Sequence, residues 1–442
     1  MFNFKRLKEL IEPLPSGDDR YASLLKDIGQ RRFVLLGEAT HGTAEFYRER
    51  ANLTKVLIEK HGFNAVVIEG DWPDSYEINQ YVNGYSNHES AASALIGFDR
   101  FPTWMWRNED IQDFVDWLKC RNELHQGLSE RVRFYGMDLY SLFKSIDIVK
   151  NHLIQMDRDL WEKAKKRFSC FDYANRDAQL YGYLANYSSR EHSCELEVIE
   201  QLHEMLHKKE YLFSLGEKSD DIFSTIQNAR LIHNAENYYR QMYRGGVSSW
   251  NLRDSHMFEI VCEIDHYLTK LLQNPSKIII WAHNSHVGDA RATQQGQSGE
   301  LNVGQLMRDH FSSQVYLLGF TTYAGYVTAA SEWGAAAERK KVNIALPGSY
   351  ENIFHQMGFE QCLLLFNKNK ELSQLLPSNY LERAIGVIYL PHSERRSHYF
   401  YANLPEQFDA VIHIDTTRAV KPLEKFALFE LEDAPETYPS GF

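Results

Sequence analysis

The stretch Phe33-Val34-Leu35-Leu36-Gly37-Glu38-Ala39-Thr40-His41-Gly42 decides the fold of this chain. Four consecutive apolar residues that end on a glycine are typical of a short strand buried on both faces, as in a parallel sheet. Glu38 and His41 would then lie just beyond the carboxyl end of the strand. Ligand crevices form at this edge of open α/β sheets, so the acid and the imidazole have a position suited to chemistry. We expect Thr43 to cap the helix that follows.

Two further apolar runs end in a similar way. Residues 65–71 (AVVIEGD) carry Glu69 near their end, and residues 277–286 (KIIIWAHNSH) end on His283 and His286. After a single strand, a Glu and a His would more often be a helix cap and a surface side chain. Carboxylates and imidazoles are costly to bury unless they are paired. Three separate strands that place such groups at the same end therefore favour a shared pocket.

The composition narrows the class of protein. The formal net charge is −12 at pH 7, and no long basic run is present, so we expect no nucleic-acid partner. The amino terminus lacks a cationic segment followed by an apolar one, and no apolar run approaches membrane length, so we expect no membrane partner. The five cysteines are widely spaced without a Cys-x-x-Cys pair. They predict reduced thiols and a cytoplasmic protein.

Alternating strands and helices predict an α/β fold with a mainly parallel central sheet flanked by helices. Residues 141–266 are charged and helical in pattern, without a clear strand. We therefore predict an α/β catalytic domain formed by residues 1–140 and 251–442, interrupted by a helical insertion or lid over residues 141–250. Breaks between the helices of the insertion are expected near residues 188–193 and 215–219.

Several later segments have clear patterns of their own. The polar, glycine-containing residues 288–300 are typical of a mobile loop over a pocket. A strand over residues 131–138 ends in Asp138, which is equally suited to cap the next helix. Further strands are expected at residues 314–320, 384–390 and 410–414.

The first kind of chemistry open to this pocket is metal-free hydrolysis. Neutral imidazole takes a proton from water near neutral pH, so His41 is the first candidate for a general base. Glu38 and Glu69 would orient the base or the water, and His283 or His286 would donate a hydrogen bond to the oxyanion formed from an ester. No cofactor is needed for this reaction.

Other side chains could assist this chemistry. Arg50 either turns back toward the carboxylates or is a solvated helix residue, and the sequence favours neither. Arg253 and the neighbouring Asp254 either pair with each other or reach the site. The candidates for binding substrate are Asp71, Trp72, Arg253 and Asn284.

Two other functions are consistent with the same residues. The same five side chains could instead bind a divalent metal such as zinc, manganese or iron, which would activate the water; these are Glu38, His41, Glu69, His283 and His286. The protein could also bind a ligand or a metal without catalysis. A serine nucleophile is poorly supported, since no Gly-x-Ser-x-Gly elbow is present, and glycine-rich phosphate loops are missing as well.

The motifs together resemble the erythromycin esterase family. They are Gly37-Glu38-Ala39-Thr40-His41-Gly42, Glu69-Gly70-Asp71, Asn251-Leu252-Arg253-Asp254 and Trp281-Ala282-His283-Asn284-Ser285-His286, and the likeness continues through residues 302–304, 347–351 and 408–415. The resemblance implies a hydrolase of a carboxylic ester or macrolactone with a small-molecule substrate. It implies that His41 activates the water without a covalent serine intermediate, supported by Glu38, Arg50, Glu69, His283 and His286.

The resemblance extends to two branches of the family. One branch inactivates macrolides, which implies antibiotic resistance. The other contains proteins labelled as succinoglycan biosynthesis proteins, which do not inactivate macrolides. Residues 389–391 and 397–400 look closer to this second branch.

Overall fold

A computed structural model describes residues 3–125, 127, 129–187, 193–214, 219–243 and 246–424. The strands in these ranges are β1 (Glu12–Pro13), β2 (Phe33–Leu36), β3 (Ala65–Asp71), β4 (Arg133–Asp138), β5 (Ile278–Trp281), β6 (Val315–Ala329), β7 (Glu338–Val342), β8 (Gln361–Leu365), β9 (Tyr380–Arg383), β10 (Tyr399–Ala402) and β11 (Ala410–Thr417). The main sheet has the order β1-β8-β11-β6-β2-β5-β3-β4, with β7 paired to β6, while β9 and β10 pair with each other.

Helices cover both faces of the sheet. Those within the described ranges are α1 (Phe4–Leu10), α2 (Ala22–Ile28), α3 (Ala44–His61), α4 (Trp72–Val82), α5 (Ala91–Ala94), α6 (Glu109–Leu124), α7 (Leu142–Met156), α8 (Arg158–Phe168), α9 (Ala178–Tyr187), α10 (Glu195–His207), α11 (Lys209–Ser214), α12 (Ser219–Gln241), α13 (Gly246–Leu272), α14 (Asn284–Val287), α15 (Gln294–Gln297), α16 (Val303–Phe311), α17 (Tyr350–Gln356), α18 (Lys370–Leu375), α19 (Glu394–Ser397) and α20 (Leu404–Gln407). None of these helices is long and apolar enough to cross a membrane.

The centre of the sheet is parallel. Strands β11, β6, β2, β5, β3 and β4 run in one direction. Strand β8 is antiparallel to β11, β7 is antiparallel to β6, and β1 pairs antiparallel with β8 at the edge. Trp281 of β5 pairs with Leu36 of β2 on one side and Ile68 of β3 on the other. Because these three residues are in register across the sheet, the polar residues that follow them lie together at the carboxyl edge of the sheet. The predicted α/β fold with a mainly parallel sheet is confirmed.

The strand predictions are confirmed, including those at residues 314–320 and 410–414, except for the one at residues 384–390. Residues 384–390 are not a strand: they form isolated bridges, in which Ile385 pairs with Thr40 and Ile388 with Ala330. Ile385 and Tyr389 are buried, whereas Val387, Ile388 and Leu390 are only partly so, and the segment has isolated bridges without a ladder. Strand β6 is longer than the prediction, since beyond Phe320 it continues beside β11 and then pairs with β7.

The cap of α3 differs from the prediction. Thr43 occupies the N-cap position, but its side chain makes no capping hydrogen bond. Its hydroxyl is hydrogen-bonded to that of Thr40 instead, and the backbone N–H of Ala44 donates to the carbonyl of Arg418. The first turn of α3 is therefore tied to the segment after β11 rather than capped by its own threonine.

The predicted helical insertion corresponds to the helices α7 to α13. Its buried side chains join those of the sheet, since Ile226 and Met257 belong to the same apolar cluster as Phe33 and Leu35. Both predicted helix breaks fall largely on residues 188–192 and 215–218, outside the described residues. The division into two domains stays a prediction.

One expectation about the cysteines is wrong. Cys170 and Cys194 form a disulfide, whereas Cys120, Cys262 and Cys362 are free. The two bonded residues are separated by 24 positions, and no short motif marks them. The start of α10 lies against the segment after α8, and this tertiary contact brings the sulfurs together. A cytoplasmic location stays a prediction.

Residues 288–300 contain more structure than a plain loop. They include a short 3-10 turn, Ala290–Ala292, and the helical turn α15. Thr293 forms an antiparallel bridge with Ala402, and the N–H of Asn403 donates to the carbonyl of Ala292. Strand β10 therefore supports this segment, and its mobility stays a prediction.

Candidate active site

A cavity of about 610 Å³ opens at the carboxyl edge of β2, β3, β4 and β5. The predicted site residues that line it are His41, Glu69, Asp71, Arg253, His283 and His286. Aromatic side chains form much of the remaining wall: Phe98, Phe101, Trp106, Tyr140, Trp250, Trp333, Tyr399 and Phe400. The cavity therefore combines a polar floor with ring faces that can hold an organic ligand.

Two glycines allow the His41 segment to follow its path. A Cβ on Gly37 would collide with the side-chain oxygen of Asn284, and a Cβ on Gly42 would collide with the backbone of Thr328. Both positions thus need a residue without a side chain. The side chain of Asn284 and the backbone of β6 thus approach the Glu38 and His41 segment closely at its two ends.

His41 is held from behind by a buried pair of charges. Its Nδ1 lies 3.0 Å from Oε1 of Glu38, whose Oε2 accepts a hydrogen bond of 2.6 Å from Nη2 of Arg50. Glu38 and Arg50 are both fully buried, and Arg50 also lies over the rings of Tyr47 and Trp281. Arg50 therefore turns back toward the carboxylates, the alternative that the sequence left open.

The hydrogen bond to Glu38 determines the tautomer of His41. A carboxylate accepts hydrogen bonds, so Nδ1 of His41 carries the proton and donates to Glu38. The other nitrogen, Nε2, is then a free acceptor when the ring is neutral. It lies 4.0 Å from Oε1 of Glu69, which is too far for a direct hydrogen bond. Nε2 of His41 and Glu69 therefore face each other across a gap in the cavity.

Glu69 is the centre of a second group of contacts. Its Oε2 accepts the backbone N–H of His283 at 2.8 Å, and its Oε1 accepts Nη2 of Arg253 at 2.8 Å. Burial raises the pKa of Glu69, but its interactions with His286, His41 and Arg253 outweigh burial and bring the pKa well below its usual range. Glu69 is thus an ionised carboxylate in a fixed position.

His286 is bound at both ring nitrogens. Nδ1 lies 2.9 Å and 3.0 Å from the two oxygens of Asp254, and Nε2 lies 3.3 Å from Glu69 and 3.0 Å from Nη1 of Arg253. Burial and Arg253 favour the neutral ring, whereas the two carboxylates favour the charged one. The carboxylates prevail and raise the pKa of His286 to about 9. Its ring also stacks on Trp250 at 4.5 Å.

His283 has the opposite character. Its Nδ1 accepts the backbone N–H of Ser285 at 3.3 Å, so the proton of the neutral ring is on Nε2. Nε2 is buried and has no hydrogen-bond partner in the described part of the chain. Burial and the nearby His41 lower the pKa of His283 to about 3, which keeps the ring neutral. The His283 and His41 rings are 4.8 Å apart. His283 thus offers an N–H donor beside the candidate base, and the backbone of Ala39 is the nearby acceptor.

The remaining predicted residues divide between the cavity and the core. Asp71 lines the cavity and accepts hydrogen bonds from Arg100 and from the backbone of Tyr140. Trp72 does not line it: the indole stacks on Tyr135 and donates to Ser224.

Asn284 is also outside the cavity lining. Its side chain donates to the carbonyl of Phe320 and accepts the N–H of the same residue. Asn284 therefore connects the end of β5 to β6.

The catalytic and binding residues predicted from the sequence do not include Asp138 and Asp254. Asp138 binds Arg253 through both oxygens, at 2.9 Å and 2.6 Å. Their positions in the sequence could have indicated a role in the site, since Asp138 is at the end of a predicted strand and Asp254 follows Arg253.

The donor set is poorly arranged for a metal. No group of three or more His, Cys, Asp or Glu side chains in the described ranges has a geometry that could hold an ion. Glu38 is bound to Arg50, and Glu69 is bound to Arg253. A guanidinium at each carboxylate already supplies the positive charge that a cation would bring.

Comparisons with known proteins agree with the motifs. The model of the family described as erythromycin esterase matches residues 58–417. Erythromycin esterase type II of Escherichia coli is 22% identical over 420 residues, which cover 90% of this chain and 92% of that protein. The putative hydrolase YbfO of Bacillus subtilis is 21% identical over 323 residues, 68% of this chain and 67% of that protein.

Solved structures share the fold. A protein titled succinoglycan biosynthesis protein superposes with a TM-score of 0.76 at 18% identity, covering 95% of this chain and 97% of that one. A mutant erythromycin esterase in its open conformation gives 0.67 at 17% identity, covering 95% and 98%. Family membership supports a hydrolase at a general level. Because the family model spans most of the sequence and the strand-end motifs converge on one cavity, this chain belongs to the erythromycin esterase family.

Proposed function

We propose that this protein hydrolyses a carboxylic ester or macrolactone by a direct attack of water, with His41 as the general base. The observation that carries the proposal is the position of His41. Its Nδ1 donates to a buried carboxylate at 3.0 Å, and its Nε2 faces Glu69 across 4.0 Å at the cavity. A base, an orienting acid and a second acid opposite the base are therefore present within one group of side chains.

The gap between His41 and Glu69 suits one water molecule. Two acceptors 4.0 Å apart can each take one hydrogen from the same water at an ordinary hydrogen-bond distance of about 2.8 Å. The lone pairs of that water then point away from both acceptors and are free to attack a carbonyl carbon. Transfer of one proton to Nε2 of His41 generates the nucleophile, and the ionised Glu69 holds the other hydrogen.

The developing negative charge needs a donor, and His283 is the side chain that fits. Its Nε2–H is buried, unpartnered within the described residues and close to the His41 ring. A donor that is fixed before the reaction stabilises the oxyanion without reorganisation. His286 is less suited, because its two N–H groups are already engaged by the carboxylates of Asp254 and Glu69.

The buried charges behind the site have supporting roles in this proposal. Glu38 keeps the proton of His41 on Nδ1 and stabilises the imidazolium that forms, as the third member of a catalytic triad does. Arg50 holds Glu38 in place, and Arg253 holds Glu69. Rigid support of this kind matters because small displacements of a base reduce the rate strongly.

The substrate is proposed to be a neutral or weakly charged organic ester. The cavity of about 610 Å³ has the size of a small-molecule site, and its aromatic wall suits an extended, partly apolar molecule. Two of the relatives above are named erythromycin esterases, which supports a macrolactone ring as one substrate class and, with it, a part in antibiotic resistance. The similarity to a succinoglycan biosynthesis protein supports the other branch of the family for the physiological substrate.

The test is a panel of alkyl esters, aryl esters and macrolactones incubated with the purified wild-type protein and with His41→Asn. Asparagine keeps the size of the side chain and a polar group but cannot accept a proton at neutral pH. The proposal predicts turnover of at least one ester or lactone, lost by about 10²- to 10⁴-fold in the variant. Equal turnover by both proteins, with both folded, would refute it. A wild-type protein that binds panel members without turnover would favour the non-catalytic reading.

A further inference from the structure

The proposed reaction has one requirement that the residues above do not meet. When the tetrahedral intermediate collapses, the bond between the carbonyl carbon and the leaving oxygen breaks, and an alkoxide needs a proton. His41 receives a proton in the first step, and its Nε2 is directed at the water. A second group that carries a proton and lies at the cavity would therefore speed the reaction of alkyl esters and lactones.

Most acidic groups of the cavity are bound to cations. Asp138 and Glu69 are paired with Arg253, Asp71 with Arg100, and Asp74 with Lys144. His286 has both ring nitrogens engaged, one by Asp254 and one by Glu69. The side chain of each of these groups is therefore held by a partner, and burial and the charge of Asp71 also raise the pKa of Asp74 to about 7.

Glu300 is the exception among the carboxyl groups that line the cavity. It is half-buried, and its carboxyl group has no hydrogen bond or ion pair with any residue that the structure describes. Its own backbone N–H is used, since it donates to the carbonyl of Gln295. The side chain is therefore free to contact a ligand, while the backbone is held.

The neighbouring residue fixes Glu300 near the catalytic floor. The carbonyl of Leu301 accepts the indole N–H of Trp250 at 2.8 Å, and the N–H of Leu301 donates to Asn251 at 2.9 Å. Trp250 in turn stacks on His286. A short series of contacts thus connects Glu300 to the ring of His286, and both residues line the same cavity.

The surroundings of Glu300 favour its protonated form. Burial and the negative charge of Asp254 raise its pKa above the usual range, against the opposing effect of His286. A carboxyl group whose pKa is raised in this way is suited to general acid catalysis near neutral pH. This electrostatic effect supports the geometry, which is the primary observation.

We propose that Glu300 is the general acid of the reaction, the group that protonates the leaving alcohol, and this role rests on the proposed hydrolase function. The bond between carbonyl carbon and leaving oxygen breaks, its electron pair stays on the oxygen, and that oxygen takes the proton of the Glu300 carboxyl group. The proton that His41 took from water then returns through solvent to Glu300. The sum of the steps is ester plus water giving acid plus alcohol, with no other reactant.

The test compares two esters of one acid: an alkyl ester, whose leaving oxygen needs a proton, and a nitrophenyl ester, whose leaving group departs without one. For Glu300→Gln, which retains the shape but carries no acidic proton, kcat/KM for the alkyl ester should fall by about 10²- to 10⁴-fold, while the nitrophenyl ester changes less than about threefold. Glu300→Asp, which keeps an acid one carbon shorter, should retain part of the activity on the alkyl ester.

Matched controls separate this role from others. Glu406→Gln makes the same chemical change at an exposed position of α20 and should alter neither ester. His41→Asn should lose both esters, since the base is needed whatever the leaving group. Equal losses for both esters in Glu300→Gln, or no loss for either, would overturn the acid role while leaving the hydrolase intact. A wild-type protein that hydrolyses neither ester would overturn both proposals.

Discussion

Two fully buried arginines show how differently this protein uses internal charge. Arg50 makes one hydrogen bond to Glu38, and its Nε and Nη1 atoms have no hydrogen-bond partner in the described ranges. Arg383 of β9 donates to the carbonyls of Asn343, Thr322 and Tyr323 and to Glu394. The first arginine supports a carboxylate that contacts a histidine at the cavity, whereas the second joins backbone segments to each other.

The comparison teaches that a buried ion pair is not by itself a sign of function. Both pairs are removed from water, and both carry the cost of burial. The two pairs differ in their surroundings. The contacts of Glu38 continue through His41 to open space, but Arg383 and Glu394 are surrounded by protein. We call these the cavity pair (Glu38 and Arg50) and the closed pair (Arg383 and Glu394).

The largest expected effect is on activity at the cavity pair. Glu38→Gln keeps the shape of the side chain but removes the carboxylate that holds the proton of His41 on Nδ1. We expect kcat on the best ester to fall by about 10³- to 10⁴-fold, in line with the loss of the acid of a catalytic triad. The matched change in the closed pair, Glu394→Gln, should leave kcat close to the wild-type value. A similar kcat loss in both variants would remove the distinction between the pairs.

The closed pair should show its effect in stability. Arg383→Met leaves Glu394 and several buried carbonyls without their donor, so we expect the free energy of unfolding to fall by about 3–5 kcal/mol. Urea unfolding followed by circular dichroism measures this loss. The folded variant should retain most of its kcat, because Arg383 does not line the cavity. Normal stability of the variant would show that the closed pair is not structural.

A pH titration sharpens the comparison further. The pKa of His286 is raised to about 9 in the folded protein, so the native state binds more protons than the unfolded chain from about pH 6.5 to 9. The stabilisation from this residue is complete below that window and is lost as the pH rises through it. We expect stability to fall from pH 7 to pH 10 in the wild type and less steeply in His286→Gln. Equal pH dependence of stability in the two proteins would contradict a positive charge on His286 in the folded state.

The smallest expected effect is that of a chelator. Glu38 is bound to Arg50 and Glu69 to Arg253, so these guanidinium groups already supply the positive charge that a bound metal ion would provide. Dialysis against a strong chelator should leave kcat unchanged, and elemental analysis should find no stoichiometric metal in active protein. Loss of activity that is restored by one divalent ion would favour the metal-dependent alternative.

The parts of the structure that the sequence predicts well are those governed by local pattern. Residues 33–36, 65–71 and 278–281 are short apolar runs, and parallel pairing of such runs brings their carboxyl ends to one edge. The meeting of His41, Glu69 and His283 follows from that rule. No knowledge of the helices is needed to predict it.

Other features depend on contacts between distant segments. Trp72 was a candidate for binding substrate, but α4 turns its indole toward Tyr135 in the core, and a local pattern does not distinguish these two faces. The disulfide of Cys170 with Cys194 and the position of Glu300 likewise arise from helix packing and from the contact of Leu301 with Trp250. Such contacts have no short motif, so the sequence alone did not reveal them.

The central claim is that water, activated by His41, attacks the substrate directly, and its most direct test compares kcat/KM for His41→Asn and Ser285→Ala on the same ester. Ser285 lines the cavity and bonds to His283, so it is the serine best placed for the competing covalent mechanism. The account predicts a loss of about 10²- to 10⁴-fold for His41→Asn. For Ser285→Ala it predicts a loss of no more than about tenfold, the value of one hydrogen bond. Full activity in His41→Asn, or abolished activity in Ser285→Ala, would contradict it.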